Sequence, residues 1–432
     1  MTLSEAEAYL ARYFSSRGTY TLERMRELLT ELNHPELAVP VIHVGGTAGK
    51  GSTSYMIASM FEHAGYRVGL YTSPHLVSIT ERIMINRTAI ADGEFVRILE
   101  AMKPAIDRAT RKYPDTPPTY FELLTAMAFV YFAREKLNVA IIEVGIGGKL
   151  DATNVVNPKV SVITNVGLDH TEILGNTIEE IARDKREIIK PGRSVVSGVT
   201  QPTVVKLIIE KATYVGASLF LVGRDFSVHN LIPRSPIVFD YVSPDTTIPK
   251  LKLSLLGRHQ AVNAALAIGA VAKSGFTVSD DAIRTALASS SYPGRLERAT
   301  IGNSSVLIDG AHNPMKTEAL GQALIDHFPR TRFETLFAVK RDKNAPAMIR
   351  TLAPHVAHWY LTTLERQTDW GKGVMLPLNK LMSIVRKTDP GKPITAVSNI
   401  SDFLASAPSP LLITGSLYLV GAVEEWLSGS RI

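Results

Sequence analysis

The sequence predicts an α/β protein in two parts, a larger N-terminal domain over residues 1–296 and a smaller C-terminal domain over residues 297–432. The length of 432 residues exceeds what one typical hydrophobic core holds. Short apolar runs rich in β-branched residues alternate with segments whose apolar residues recur at helical spacing, as in parallel sheets covered by helices. A glycine-rich loop also joins the first of these runs to a helical segment, an arrangement typical of anion-binding α/β domains.

The composition excludes several classes of protein. Hydrophobic residues make up 45% and charged residues 20%, which is ordinary for a globular chain. The net charge of +6 suits anionic ligands, but no dense run of Lys and Arg indicates a nucleic-acid partner. No apolar run approaches the roughly 20 residues of a membrane span, and there are no cysteines for disulfides. We therefore expect a cytoplasmic monomer with neither a nucleic-acid nor a membrane partner.

The first element of interest is the loop "HVGGTAGKGST" at residues 43–53. It differs from the common phosphate-loop pattern G-x-x-x-x-G-K-[ST], because Val44 replaces the first glycine and Gly51 separates Lys50 from Ser52. An apolar run, "VPVIHV", precedes the loop, and apolar residues at helical spacing follow it. This order places backbone N–H groups and the positive end of a helix at one point. It predicts a phosphate site, the alternative being a glycine turn without a ligand.

Two further strands end near polar side chains. The segment "VAIIEVGIGGKLDATN" at 139–154 opens as a buried strand that ends on Glu143, and His170 follows the strand in "VSVITNVGLDH" at 160–170. Ligands of parallel sheets lie outside the carboxyl ends of the strands, so Lys50, Glu143 and His170 should meet at one edge. Each alone has an ordinary interpretation, a hydrogen-bonded carboxylate or a structural histidine. Together they predict a phosphate site with a magnesium ligand opposite the loop.

Lys185 interrupts an apolar stripe in the predicted helix at 176–192, "NTIEEIARDKREIIKPG". Its side chain could pack along the stripe and extend its ammonium group to solvent. The other interpretation is a functional lysine whose pKa is lowered by burial, leaving a neutral amine that can take up CO₂ as a carbamate.

The last part of the larger domain contains a hairpin region at about 225–256 and a helix at 259–275 that carries Asn263. A smaller, Rossmann-like α/β domain is predicted after it. The turn-rich "SYPGRLER" at 291–298 is the best linker, and the strands "SSVLID", "FETLFAV", "AHWYLTT" and "PLLITG" follow it. In "VLIDGAHNP" at 306–314, Asp309 and His312 come just after a strand, although Asp309 alone could cap a helix.

The run at 72–90, "TSPHLVSITERIMINRTAI", is rich in Ser, Thr and charged residues. We predict a loop that folds over the ligand site. His75 and Arg82 would offer cations to a carboxylate tail, and Tyr120 with Phe121 would offer flat surfaces to a ring.

Nine runs, in order and with matching spacing, resemble the folylpolyglutamate synthase/dihydrofolate synthase family of the Mur ligase superfamily. They are "LERMRELLTELNHPE", "IHVGGTAGKGST", "GYRVGLYTSPHL", "TYFELLTAMAF", "EVGIGGKLDATN", "LDHTEILGNTIEEIARDK", "YPGRLE", "IDGAHNP" and "ITGSLYLVG".

The resemblance implies a phosphate-loop ATPase-type N-terminal domain and an ATP-dependent ligase that activates a carboxylate as an acyl phosphate before glutamate attacks. Its substrates would be ATP, L-glutamate and a folate-type acceptor, either a reduced folate or dihydropteroate. The ATP site it implies comprises Gly46, Thr47, Gly49, Lys50, Gly51, Ser52, Asn263, Arg295 and Asp309. The magnesium (Mg²⁺) ligands would be Ser73, Glu143 and His170, and the catalytic residues would include Lys50, a carbamylated Lys185 and His312. The acceptor would lie beside His75, Arg82, Thr119, Tyr120, Phe121, Glu122, Leu150, Asp151 and Ala152.

Departures from the family pattern concern the substrate more than ATP. Ala48 stands where the family usually has Asn, Lys149 stands in place of Arg, and Arg186-Glu187 replaces Ala-Gly. Two other functions stay open, a related ligase that joins an amino acid to a non-folate carboxylate, and a nucleotide-binding protein without catalysis.

Overall fold

A computed structural model describes residues 1–14, 21–364, 366–368, 371–373 and 375–429. Its framework is two parallel-rich sheets, both covered by helices, with a small antiparallel sheet beside the first.

The first sheet has eight strands in the order β4-β3-β2-β5-β1-β6-β7-β8. The six strands from β2 to β8 in this order are parallel, and β3 and β4 extend one edge antiparallel. The strands are β1 (Val41–Gly45), β2 (Val68–Tyr71), β3 (Ile83–Ile85), β4 (Thr88–Ala89), β5 (Val139–Glu143), β6 (Val160–Ile163), β7 (Ser194–Ser197) and β8 (Ser218–Leu221). Residues of β1, β2, β5 and β6 are buried throughout, which matches their continuous apolar sequence.

Helices cover both faces of this sheet. On one face α3 and α9 pack against β1, β5 and β6, and on the other face α4 and α5 bury an apolar cluster around Phe95 and Phe132. The helices are α1 (Leu3–Ala11), α2 (Glu23–Glu31), α3 (Lys50–His63), α4 (Asp92–Lys112), α5 (Tyr120–Arg134), α6 (Thr171–Leu174), α7 (Ile178–Lys185), α8 (Pro202–Tyr214), α9 (Arg258–Ala272) and α10 (Asp280–Ala288). Thr119 and Thr177 begin α5 and α7 with capping boxes, each accepting from the backbone N–H three residues on.

The predicted hairpin region forms a three-stranded antiparallel sheet. Its strands are β9 (Ser227–Ile232), β10 (Ile237–Val242) and β11 (Thr247–Leu253). The alternating burial of β10 places Ile237, Phe239 and Tyr241 in the same apolar cluster as α3 and α9.

The second large sheet has six strands in the order β12-β13-β19-β14-β15-β18, parallel except for β12. Its strands are β12 (Glu297–Ile301), β13 (Ser304–Ile308), β14 (Phe333–Phe337), β15 (Val356–Leu361), β18 (Ile394–Ala396) and β19 (Leu411–Thr414), and β16 (Arg366–Thr368) with β17 (Gly371–Gly373) forms a separate hairpin. The helices are α11 (Pro314–His327), α12 (Ala345–Leu352), α13 (Leu378–Thr388), α14 (Ile400–Ala405) and α15 (Leu417–Gly429).

Two details differ from the sequence predictions. The helix expected over 176–192 ends at Lys185 and continues only as a 3-10 turn, Arg186–Ile188. The run at 72–90 is not one loop, because it contains β3 and β4, and Ile79, Arg82 and Ile83 are buried. These two strands have three and two residues, too few to show the alternation that identifies a strand in sequence.

Among the residues described, no helix is both long and apolar enough to cross a membrane.

Candidate functional site

A cavity of about 900 Å³ lies between the carboxyl ends of the two parallel sheets. Every residue predicted for the site lines it, with two exceptions, His75 and Arg82. The cavity therefore joins the glycine loop, the ends of β5 and β6, and the start of α11, which are far apart in sequence.

The glycine loop connects β1 to the N-terminus of α3, as predicted. Gly49 precedes the helix with a φ of 79°, a conformation that a side chain would strain, and a Cβ there would lie 2.5 Å from Asn263 Oδ1. The unexpected Gly51 also has a packing reason, since a Cβ on it would come 2.7 Å from the Tyr292 hydroxyl. The close approach of Tyr292 is therefore a packing reason for the glycine that separates Lys50 from Ser52.

Hydrogen bonds from the end of β6 hold the loop in place. Thr47 Oγ1 donates to the Gly167 carbonyl, and the Ala48 N–H donates to Asn165 Oδ1 at 2.9 Å. Asn165 Nδ2 returns a bond to the Ala48 carbonyl at 3.0 Å. Ala48 lacks the amide of the family pattern, but its backbone is anchored on both sides.

Lys50 and Lys185 converge on this loop. The Nζ atoms of both lysines donate to the Gly46 carbonyl, each at 3.2 Å. Lys185 is 4% exposed, so its ammonium group does not reach solvent. The interpretation that it packs along the apolar stripe and extends to solvent is therefore wrong. Burial, reinforced by the charge of Lys50, lowers the pKa of Lys185 to about 7.

Glu143 ends β5 beside the loop, as its position in the sequence predicted. Its Oε2 accepts the Ser73 N–H at 3.2 Å, so these two residues are neighbours. Burial raises the pKa of Glu143, while the nearby Lys50 opposes this shift. Burial also lowers the pKa of His170 to about 4, so its imidazole is neutral at pH 7.

The described residues contain no cluster of three His, Cys, Asp or Glu side chains able to hold a metal by themselves. Ser73, Glu143 and His170 supply one hydroxyl, one carboxylate and one imidazole. Mg²⁺ in nucleotide sites takes one or two protein carboxylates and fills its remaining positions with phosphate oxygens and water. The donor set is compatible with that type of site.

On the second sheet, Asp309 and Arg295 form the wall opposite the loop. The Asp309 carboxylate accepts the N–H groups of Leu296 and Ala311, at 2.9 and 2.8 Å. It does not cap α11, whose N-cap is Asn313. Burial raises the pKa of Asp309, and Arg295 opposes this shift.

His312 lies at the start of α11 in contact with a lysine. Its Nδ1 is 2.8 Å from the Gly310 carbonyl, and its Nε2 is 2.9 Å from Lys316 Nζ. Burial holds the pKa of His312 well below its usual value. The ring is therefore neutral, with a proton on Nδ1 and an acceptor at Nε2.

Aromatic and polar residues of α5 line the other end of the cavity. The Tyr120 ring packs against Phe14 at a tilt of 32°, with ring centroids 4.3 Å apart, and Glu122 forms a buried ion pair with Arg24 at 3.3 Å. The Asp151 carboxylate accepts the Ile146 and Thr153 N–H groups, both at 3.0 Å. Thr119, Phe121, Leu150 and Ala152 complete this end.

His75 and Arg82 lie outside the cavity wall. Arg82 is 1% exposed, and its Nε donates to His75 Nδ1 at 2.8 Å. Its guanidinium group lies over the ring of Tyr120, a cavity-lining residue, 5.8 Å from the ring centroid. Of the departures from the family pattern, Ala48 lines the cavity, whereas Lys149, Arg186 and Glu187 do not. Arg186 donates to the Leu207 carbonyl and Glu187 pairs with Lys211, both on α8.

Sequence reasoning missed several cavity residues. Asn165 and Asp169 follow the same strand as His170, so the strand-end rule could have identified them. Lys316 lies two residues after "AHNP" and four residues after His312, a helical spacing that was a usable signal. Tyr13, Phe14 and Lys343 come from segments without a strand-end or glycine signal.

Comparison with known proteins is consistent with this geometry. Residues 44–271, more than half of the chain, match the model of the Mur ligase middle domain. The chain is 36% identical to the dihydrofolate synthase/folylpolyglutamate synthase of Bacillus subtilis, over 94% of each chain. Among solved structures, Mycobacterium tuberculosis folylpolyglutamate synthase complexed with ADP and AMPPCP has a TM-score of 0.88 at 29% identity, covering 98% of this chain and 97% of that one. An FPGS–AMPPCP–folate complex has a TM-score of 0.84 at 33% identity, covering 99% and 100%.

Proposed function

This chain belongs to the folylpolyglutamate synthase/dihydrofolate synthase family of the Mur ligases, and we propose that its inter-sheet cavity carries out the family's ligation with the residues described above. The protein is an ATP-dependent ligase that adds L-glutamate to a folate-type carboxylate. The observation that carries the assignment of the site is the meeting of the glycine loop, Glu143, Asp309 and His312 in one cavity.

The reaction must first activate a carboxylate, which resists attack by an amine because it is anionic and has a poor leaving group. Transfer of the γ-phosphate of ATP gives an acyl phosphate. The glutamate amine attacks it through a tetrahedral intermediate, and phosphate leaves as the amide forms. Gly46, Thr47, Gly49, Gly51 and Ser52 present the loop to the phosphates, and Lys50 neutralises charge on the transferred group.

The nucleotide lies between the two sheets in this proposal. Asn263 packs on Gly49 from α9, while Arg295 and Asp309 face the loop from the second sheet. Bound Mg²⁺ supplies charge compensation for the phosphoryl group, and Ser73, Glu143 and His170 are the residues that would hold it. His312 lies beside the approaching glutamate.

We assign a modification to Lys185. Its amine is buried next to the phosphate loop and has a pKa lowered to about 7, so a neutral fraction exists at physiological pH. A neutral amine attacks CO₂ to form one C–N bond, releases one proton and becomes an anionic carbamate. This would place a negative group at the phosphate loop, close enough to attract the Lys50 ammonium group.

The acceptor occupies the end of the cavity around α5. Tyr120 and Phe121 offer flat faces to a pteridine ring, and Asp151 is held rigidly by three hydrogen bonds from Ile146 and Thr153. Reduced folates are the expected acceptors, with dihydropteroate as the second one to test.

Residues 1–296 and 297–432 act as two domains in this scheme, with Pro293–Arg298 as the hinge that lets them close on ATP. The cytoplasmic location and the monomeric state remain predictions from the sequence.

The test is ADP release by the purified protein with ATP, L-glutamate and either tetrahydrofolate or dihydropteroate. We expect release that needs both the acceptor and glutamate, and that yields a product heavier by one glutamyl residue. Omission of either substrate is the control. If all pterin acceptors are inert and another carboxylate supports release, the chain is a Mur-type ligase of different specificity.

A further inference from the structure

Lys316 is a cavity-lining cation without a counter-ion. It is half-buried on α11, and its recorded hydrogen-bond partner is Nε2 of His312, at 2.9 Å. Among the residues that the structure describes, no carboxylate lies within ion-pairing distance of its Nζ. A partly buried cation of this kind is costly in free energy unless an anion pairs with it.

The carboxylate that attracts Lys316, that of Asp169, already accepts hydrogen bonds from other residues. Asp169 Oδ1 accepts from Lys343 Nζ at 2.8 Å and from the His170 N–H at 3.1 Å. Asp169 Oδ2 accepts from Asn313 Nδ2 at 2.8 Å. Both carboxylate oxygens thus accept from other donors, and Asp169 forms no ion pair with Lys316, on which it acts only through a longer-range attraction.

His312 positions Lys316 rather than neutralising it. Because the His312 Nδ1 proton faces the Gly310 carbonyl, Nε2 can only accept, and Lys316 must be the donor. One N–H of the lysine is thereby fixed, which leaves the others directed away from the ring. Lys316 also lies on α11, on the side of the second sheet, whereas Lys50 lies at the phosphate loop on the side of the first sheet.

We propose that Lys316, held by His312, binds a carboxylate of the incoming L-glutamate and so helps select the amino acid. This inference rests on the proposed function, since it assigns a residue to one of that reaction's substrates. Glutamate brings two carboxylates to the site, and an ammonium ion is a matching partner for either.

The same arrangement predicts a pH dependence. Burial lowers the pKa of Lys316 to about 7; Asp169 opposes this shift, and Lys50, Arg295 and Lys343 add to it. His312 is neutral and does not change charge near pH 7. Above pH 7 the empty site increasingly holds a neutral amine, which must take up a proton to bind a carboxylate. The KM for glutamate should therefore rise between pH 7 and 8.5.

The experiment compares Lys316→Met and Lys316→Arg with the wild type, using a folate acceptor, ATP and glutamate. We expect Lys316→Met to raise the KM for glutamate about ten-fold or more, while kcat and the KM for ATP change by less than about two-fold. Lys316→Arg should recover most of the affinity and lose the pH dependence, since arginine stays charged. Lys380→Met, an exposed site on α13, is the matched control.

Amino acid analogues identify the carboxylate. L-Glutamine lacks the side-chain carboxylate, and the α-amide of glutamate lacks the other. The analogue that lacks the carboxylate bound by Lys316 should bind the wild type more weakly than glutamate does. It should bind Lys316→Met about as well as glutamate does. If both analogues lose as much affinity relative to glutamate in Lys316→Met as in the wild type, the assignment of Lys316 is wrong. It is also wrong if Lys316→Met raises the KM for ATP instead of the KM for glutamate. No ADP release by the wild type would instead contradict the proposed function.

Discussion

At the scale of single residues, the oppositely charged side chains of Lys50 and Glu143 lie near each other in the cavity. Lys50 leads α3 at the loop, and Glu143 ends the neighbouring strand β5. Glu143 is buried and Lys50 is partly buried, so water screens the interaction between their charges only weakly.

We predict that Lys50→Met and Glu143→Gln each reduce turnover about 100-fold or more. Both variants remove charge compensation for the transferred phosphoryl group, worth about 3 kcal/mol or more of transition-state stabilisation. ADP release at saturating ATP measures the effect. The melting temperature should stay near that of the wild type, and a variant with normal turnover would remove that residue from the mechanism.

Carbamylation of Lys185 should appear as a dependence on CO₂ and pH. The amine is protonated and inert below its pKa of about 7, and it becomes nucleophilic above it. At a fixed CO₂ pressure, activity should rise between pH 6 and 8. It should fall in buffer depleted of CO₂ and return on adding bicarbonate.

Lys185→Met is the comparison for that experiment, because it preserves the buried stem and removes the amine. It should be nearly inactive and insensitive to CO₂. Wild-type activity that is indifferent to CO₂, together with an intact mass showing a bare lysine under carbamate-trapping conditions, would contradict the modification.

Many of the cavity residues could be predicted because they lie at the carboxyl ends of parallel strands or in the loops that follow them. Glu143 and His170 are examples, since the carboxyl ends of β5 and β6 meet the loop at one edge. Lys343 and Phe14 could not, because they reach the cavity through folding of distant segments. A local pattern carries no information about such approaches.

At the scale of elements, the central strands were predictable and the edge strands were not. The strands β1, β5 and β6 are buried on both faces and read as continuous apolar runs. The strands β3 and β4 are short edge strands next to buried polar residues, so their sequence is typical of a loop. Arg82 was taken for a ligand residue for the same reason.

The position of Arg82 changes the expected effect of its removal. Its buried guanidinium group donates to His75 and lies over Tyr120, and it does not line the cavity. We predict that Arg82→Ala destabilises the protein by about 2 kcal/mol, since hydrogen bonds to charged groups contribute about 1.5–3 kcal/mol. Urea unfolding should show the loss, with Arg97→Ala, an exposed arginine on α4, as the neutral control. Unchanged stability with a raised acceptor KM would restore Arg82 as a substrate residue.

At the scale of the whole molecule, the two large sheets are joined across the cavity by Asp169. This carboxylate, from the end of β6, accepts from Asn313 and Lys343 of the second sheet, each at 2.8 Å. Burial alone would raise the pKa of Asp169, but the electrostatic attraction of His170, Lys343 and Lys316 holds it below its usual range. The contact is thus a charged, nearly dry connection between the parts that the proposed hinge would move.

We predict that Asp169→Asn loosens this connection without unfolding either sheet. Lys343 would lose its closest carboxylate, and breaking a buried ion pair typically costs about 3 kcal/mol or more. Amide hydrogen exchange should become faster in residues 309–317 and 338–344, by roughly 100-fold if most of that energy holds the segments in place. The core strands β1 and β5 should keep their protection.

Asp245→Asn, which breaks an exposed pair with Lys273, is the control and should change nothing measurable. Because ATP contacts both sheets in the proposed function, adding ATP should restore part of the lost protection. Exchange that is unchanged in Asp169→Asn would mean that the two sheets are held together without this contact, and that closure depends on the Pro293–Arg298 segment and the nucleotide.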